Sequence, residues 1–218
     1  MKKSKPWDNT FMNENMREET QKTGEILAGL IRRTRSFRRF RQEIPIPREA
    51  LESMIEAARL GGSARNIQPL KYMVINSPQM CRIVFPHLAW AGYLERWRGP
   101  EEGERPPAYI VCLLDTTLTD EGSIDLGIAS QNLLLTASAM GYGGCRIASV
   151  SGRLAALLQI PDSLQILLVI ALGVPKEVVE LTPLPADGDI RYWRDERMIH
   201  YVPKRTLDEI IISPVQAP

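Results

Sequence analysis

DLGIASQNLLLTASAMGYGGC, residues 125 to 145, is the stretch whose reading decides the fold. From Asp125 to Gly141 it is apolar almost all round, so a helix built from it has no face suited to water. Such a helix belongs inside the molecule or inside a subunit interface. The five residues Gly141 to Cys145 then contain three glycines, which permit a close approach of the backbone to another group. A Schellman-type helix cap explains Gly141. Cys145, with no base or resolving thiol in view, reads as a packing residue.

Outward from this helix, AYIVCLLD (Ala108 to Asp115) and QILLVIALG (Gln165 to Gly173) are continuous apolar runs, the pattern of strands buried on both faces. LKYMVINS (Leu70 to Ser77) reads as a further strand, with a short helix after Pro78, and SGRLAALLQIP as another short helix. PREALESMIEAARLGG predicts a helix: Pro47 suits a first position, Leu51, Met54, Ile55 and Ala58 line one face, and Gly61 supplies the stop. Between Met16 and Arg33, Ile26, Leu27, Leu30 and Ile31 recur at helical spacing, predicting a helix with one buried stripe. Trp90, Tyr93 and Trp97 fall on one helical face of AWAGYLERWRG, as a core stripe or as a lid over a pocket.

The ends differ in kind. Residues 1 to 15 are polar and hold Pro6, Asn9, Asn13 and Asn15, which predicts a flexible N-terminal arm. Residues 16 to 218 then form a single domain, as the length favours. The tail from Thr182 sets short apolar bursts between prolines, which suits an extended arm lying along another surface. If that surface belongs to a second chain, the arm is a swapped element.

Composition removes several function classes. With 44 % apolar and 24 % charged residues and a net charge of +1, the chain is ordinary globular material whose charge names no partner. Three scattered cysteines without a CxxC spacing fit a reducing cytoplasm. The N-terminus lacks the apolar run of a signal peptide, and no stretch nears the ~20 apolar residues that span a bilayer. Two histidines, His87 and His200, are too few for a His-rich metal site, and surface or interface roles are expected for them. No GxSxG, GxxxxGK[ST] or GxGxxG occurs, which excludes the hydrolase elbow, the P-loop and the Rossmann fingerprint.

IRRTRSFRRFRQ contains six arginines between Arg32 and Arg41. Three readings compete: a solvated basic face, a nucleic-acid or membrane patch, and a phosphate site where arginines and a hydroxyl converge on one dianion at a helix end. The motifs farther along the chain favour the third. TRSFRRF (Thr34 to Phe40) and GGSARNIQP (Gly61 to Pro69) closely resemble the two N-terminal motifs of the FMN-dependent nitroreductase family. DLGIASQNLLLTASAMGYGGC resembles that family's central helix and glycine turn, and VPKRTLDEIII (Val202 to Ile212) its basic C-terminal motif. Four motifs in family order over about 175 residues are specific in combination.

The resemblance implies an α+β nitroreductase fold, a central mostly antiparallel sheet flanked by helices. It implies a homodimer with an exchanged C-terminal arm and an interface on Asp125 to Gly141, carrying two FMN sites. Thr34, Arg35, Ser36 and Arg38 would hold the phosphate and the ribityl or pyrimidine side of the flavin; Thr34 stands where many members carry Arg, so Arg33 or Arg205 would compensate. Gly62, Ser63, Ala64, Asn66 and Gln68 would lie against the flavin, commonly from the opposite subunit, with Asn66 pairing to a ring carbonyl or N3. Gly143 and Gly144 would lie near flavin N5, and Arg205 in the phosphate cradle. No residue is catalytic in its own right, because the flavin carries the chemistry. The implied activity is ping-pong hydride transfer from NADH or NADPH through N5 to a small organic acceptor such as a nitroaromatic or quinone, with no nucleic-acid or membrane partner. A flavin-binding protein for sensing or storage, without turnover, is the alternative.

Overall fold

The structure, a computed structural model, describes residues 13–214. It begins with α1 (Glu14–Arg33), started by Asn13, whose Oδ1 accepts from the Met16 N–H at 3.0 Å. The helix therefore takes in part of the arm expected over residues 1 to 15; residues 1–12 lie outside the described part. Helix α2 (Arg48–Arg59) and strand β1 (Leu70–Ile75) follow, then α3 (Pro78–Val84), β2 (Ala108–Asp115), α4 (Ser123–Ala139) and β3 (Gly143–Ile147). Next come α5 (Arg153–Leu157), β4 (Leu164–Gly173), β5 (Val179–Pro183), β6 (Trp193–Arg194), β7 (His200–Lys204) and α6 (Leu207–Ile210).

The central sheet has the order β1-β2-β4-β3, with every neighbouring pair antiparallel. Seven of the eight residues of β2 are buried, because this inner strand is covered on both faces. On one face Ala108, Ile110 and Cys112 pack with Leu168, Ile170 and Leu172 against Leu51 and Met54 of α2 and Leu133 and Leu134 of α4. On the other, Tyr109, Val111 and Leu113 meet Cys81 and Val84 of α3 and Leu154 of α5. The α+β class with a mostly antiparallel sheet is therefore as the sequence predicts. Truncating a fully buried Leu51 or Met54 to Ala would cost ~2–5 kcal/mol.

Four expectations need correction. First, α1 has no buried stripe: Ile26, Leu27 and Ile31 are 57 %, 50 % and 46 % exposed, because little of this chain packs on that helix. Second, GYGGC is more than a turn. Gly141, at φ +83°, is the cap, with Tyr142 N–H donating to Ala137 O at 2.8 Å and Gly141 N–H to Ser138 O at 3.3 Å, and the chain then runs straight into β3. Third, AWAGYLERWRG forms no helix. Trp90 is buried in the core edge-on to Trp97, whereas Tyr93 is exposed and meets Tyr192. Fourth, the start of the tail, expected as an extended arm lying along another surface, forms a sheet of its own, because β5, β7 and β6 of this same chain pair as three strands.

Helix α4 is half covered. Ala129, Leu133, Leu134 and Ala137 face the sheet, while Ile124 and Ile128 on the other side are 73 % and 39 % exposed. Its all-round apolarity thus serves the sheet on one side and leaves an uncovered face on the other.

Candidate functional site

The basic segment starts where α1 ends. Thr34 closes that helix, its N–H and its Oγ1 both donating to Leu30 O at 2.9 and 2.8 Å, so its hydroxyl already has an acceptor. Arg35 turns back, Nη2 donating to Ile31 O at 2.6 Å, while its Nε is buried with no protein partner. Burial pushes the Arg35 pKa below the ordinary arginine value, a sign that this cation lacks a counter-charge. Ser36 lies beside Gly144 in a parallel bridge, and the Phe37 N–H donates to Gly144 O at 3.1 Å. The exposed Ser36 hydroxyl takes no protein partner among the described residues.

Arg38 is held differently. Its guanidinium Nη1 donates to Ser36 O at 3.2 Å, stands 3.2 Å from His200 Nε2, and lies over the Tyr192 ring at 4.8 Å. His200, for which a surface or interface role is expected, has no surface role in this chain: it is 1 % exposed. Burial first, then Arg38 and Arg194, pull its pKa down to about 4, so at neutral pH the ring offers Arg38 a lone pair. The fully buried Glu177 carboxylate accepts from the Arg38 and Arg39 backbone N–H groups and from Arg194 Nη2 at 2.8 Å. Arg194 in turn lies over Trp97 at 4.2 Å. Beside this cluster Arg39 forms a two-pronged pair with Glu104, both contacts at 2.6 Å, which holds the Glu104 carboxyl below the usual range. The second sheet thereby clamps the basic motif onto the first.

The GGSARNIQP segment is a loop between α2 and β1, anchored by Asp125 in the first turn of α4. Asp125, 6 % exposed, accepts from the Ser63 hydroxyl and from the Ala64 N–H at 3.1 Å; Ser63 Oγ in turn accepts from the Gln68 N–H at 2.8 Å. Arg65, Asn66 and Gln68 take positive φ values of 50°, 57° and 54°, conformations that need external support for non-glycine residues. Gly62, Ala64, Asn66 and Gln68 face solvent, and the Asn66 amide has no protein partner among the described residues. A cleft of about 70 Å³ lies beneath, between Gly62, Ser63, Tyr72 and Ala129.

The structure thus assembles two groups of the expected residues rather than one. Thr34, Arg35, Ser36 and Arg38 sit with Gly144, whose hypothetical Cβ would fall 2.7 Å from Leu134 Cδ2. Gly62, Ser63, Ala64, Asn66 and Gln68 sit by Asp125. Asp125 and Leu134 are separated by nine residues of α4, about 13 Å along its axis. Packing within the chain accounts for both glycines of β3: a Cβ at Gly143 would meet Phe37 at 2.5 Å, and one at Gly144 would meet Ala171 O at 2.7 Å. Arg205 pairs with Glu209 at 3.4 Å, and no contact ties it to Arg35 or Arg38 among the described residues.

Sequence reasoning missed Asp125, Glu177 and His200 as positioning residues. The signal for Asp125 was present, since it is an acid at the start of an otherwise apolar helix. Glu177 and His200 gave none, because their partners lie 139 and 162 residues away. Among the described residues no cluster of three or more His, Cys, Asp or Glu could hold a metal, and no helix is long and apolar enough to cross a membrane.

Comparison with known proteins bears on this geometry. The sequence model of the nitroreductase family matches residues 31–97, which hold the basic motif and the GGSARNIQP loop. A protein of Methanothermobacter thermautotrophicus, provisionally named NADH dehydrogenase/NAD(P)H nitroreductase, is 29 % identical over 155 residues, 67 % of this chain and 76 % of that one. Nitroreductase A of Vibrio parahaemolyticus superposes with a TM-score of 0.58 at 25 % identity, over 74 % of this chain and 72 % of the other. An FMN-dependent nitroreductase of Clostridium difficile superposes with a TM-score of 0.57 over 69 % and 88 %; at 20 % identity it attests the fold alone.

Proposed function

We propose that this chain, which belongs to the nitroreductase family, is an FMN-dependent oxidoreductase working as a homodimer, with NADH or NADPH as donor and a small organic molecule as acceptor. An oxidoreductase role agrees with the relative's description as an NAD(P)H nitroreductase, and FMN with the Clostridium difficile neighbour's description as FMN-dependent.

The observation that carries the proposal is the open donor set at the end of α1. The buried Arg35 Nε has no acceptor, and the exposed Ser36 hydroxyl beside it has none either. A dianionic phosphate fits such a set, supplying the missing charge and the missing acceptors together. Thr34 contributes shape only, since Leu30 already occupies its hydroxyl.

Bound FMN would supply the two-electron chemistry, taking a hydride from the nucleotide and giving it up to a nitroaromatic, quinone or similar acceptor. Arg38 would meet the pyrimidine side of the flavin with fixed positive charge. His200 and Glu177 hold it rigid, which favours electrostatic stabilisation because no reorganisation is needed. Asn66 would donate and accept at the ring edge, from a loop that Asp125 and Ser63 lock. Within one chain the Asn66 loop and Ser36 lie beside separate turns of α4, an arrangement that suits a site completed by the loop of a second subunit. The exposed Ile124 and Ile128 of α4 and the bare stripe of α1 supply the apolar surface for that association. In this arrangement residues 205–214 would extend over the partner, where Arg205 would exchange Glu209 for the phosphate.

The phosphate is the discriminating test. FMN should bind the wild-type protein more tightly than riboflavin, and Arg35→Ala should remove about tenfold or more of that preference, as loss of one charged hydrogen bond implies. Equal affinity for the two flavins would sink the proposal.

A further inference from the structure

On the sheet face away from α4, a cavity of about 380 Å³ opens between α3, the start of β2 and the segment after Phe40. Pro45, Pro78, Phe85 and Pro107 supply the apolar part of its walls. Two buried polar atoms at this cavity lack partners. One is the hydroxyl of Tyr109, a residue 0 % exposed on the inner strand β2. Burial raises its pKa well above the ordinary phenol range, so it remains a donor. The other is Nε of Arg105, whose guanidinium lies over the Phe85 ring at 4.3 Å and whose Nη1 is tied to Glu102 at 2.7 Å.

Of the other lining polar groups, the exposed Glu43 and Arg82 stand at the rim with opposite charges, Asn76 Nδ2 donates to Ile46 O at 3.4 Å, and Cys81 and Gln42 hold the walls in place. The Cys81 thiol donates to Pro107 O at 3.3 Å, and its pKa is pushed up to about 11 by burial. Gln42 Oε1 accepts from the Gly103 and Arg105 N–H groups at 2.8 and 3.1 Å, while its Nε2 donates to Glu102 at 2.6 Å. The cavity is therefore formed in advance, in the size range of small-ligand sites, and the buried atoms left without a partner in it are the two donors on Tyr109 and Arg105.

A ligand that completes this site brings acceptors to two donors, negative charge to a guanidinium, and a flat apolar body to prolyl walls. We propose that the cavity binds a monocyclic aromatic carboxylate, whose oxygens accept from the Tyr109 hydroxyl and Arg105 Nε while its ring lies against the prolines. None of its lining residues belongs to the flavin proposal, so either can fail alone.

The test is calorimetric titration of the purified protein with benzoate and with benzyl alcohol, repeated on Tyr109→Phe and Arg105→Met. Tyr109→Phe preserves shape, and the circular dichroism of both variants checks that they fold. Saturable benzoate binding, weakened about tenfold in either variant, with benzyl alcohol binding more weakly than benzoate, is the expected result. Absence of saturable binding, or wild-type affinity in both folded variants, overturns the site. Equal binding of benzyl alcohol overturns the carboxylate assignment.

Discussion

Acidification from about pH 7 to about pH 5 should destabilise this protein through His200, well before its carboxylates matter. The folded His200 resists protonation until about pH 4, against 6.5 for the free side chain, because it is buried between Arg38 and Arg194. The unfolded chain takes up that proton below 6.5 while the folded chain refuses it, so the unfolded state binds more protons and stability rises with pH. His200 thus contributes fully above about pH 6.5 and loses its contribution as pH falls through the window to 4. The whole interval corresponds to ~3 kcal/mol, and stopping at about pH 5 to ~2 kcal/mol. Glu104, held low by Arg39, loses its contribution as pH falls from its ordinary 4.5 toward its lowered value, so between about pH 7 and about pH 5 the His200 effect dominates. The assay is urea unfolding at fixed protein concentration for the wild type and for His200→Gln, whose side-chain oxygen can still accept from Arg38. The wild type should lose ~2 kcal/mol more than the variant between these pH values. Parallel pH dependences would refute the reasoning.

Other perturbations probe the remaining contacts. Glu177→Ala strands a buried Arg194 and should cost ~3–5 kcal/mol, read as a lower urea midpoint; a cost under ~1 kcal/mol would mean that Arg194 finds another partner. Asp125→Ala frees the Ser63–Ala64 loop, and should lower flavin retention on dialysis more than it lowers Tm; unchanged retention would remove the loop from the site. Gly144→Ala drives a methyl group toward Ala171 O and should cost ~1–3 kcal/mol in thermal unfolding; a neutral result would show that β3 can move aside.

The legible parts of the sequence were those governed by local pattern. The β2 run AYIVCLLD and the α2 stripe of Leu51, Met54 and Ala58 read correctly because periodicity and burial coincide within one element. The Gly141 cap was legible for the same reason, as its chemistry is confined to one turn. Strand β3 was hidden because its two glycines suggest a turn, whereas their absent side chains make room for Phe37 and for Leu134. The second sheet was hidden because the parallel pairing of β5 with β7 is non-local and its third strand has only two residues. In the site, TRSFRRF announced a cluster of cations, but which of them is open depended on distant partners: Arg39 has Glu104, Arg38 has His200, and Arg35 Nε has nothing.

The most direct test of the account is anaerobic stopped-flow mixing of the flavin-loaded protein with NADH or NADPH, followed by mixing of the reduced protein with a nitroaromatic or a quinone. The account predicts that one nucleotide bleaches the flavin band and that the acceptor restores it in a separate second step, with no need for both substrates together. A flavin that binds yet stays oxidised with either nucleotide would contradict it, and would leave a flavin-binding protein without turnover.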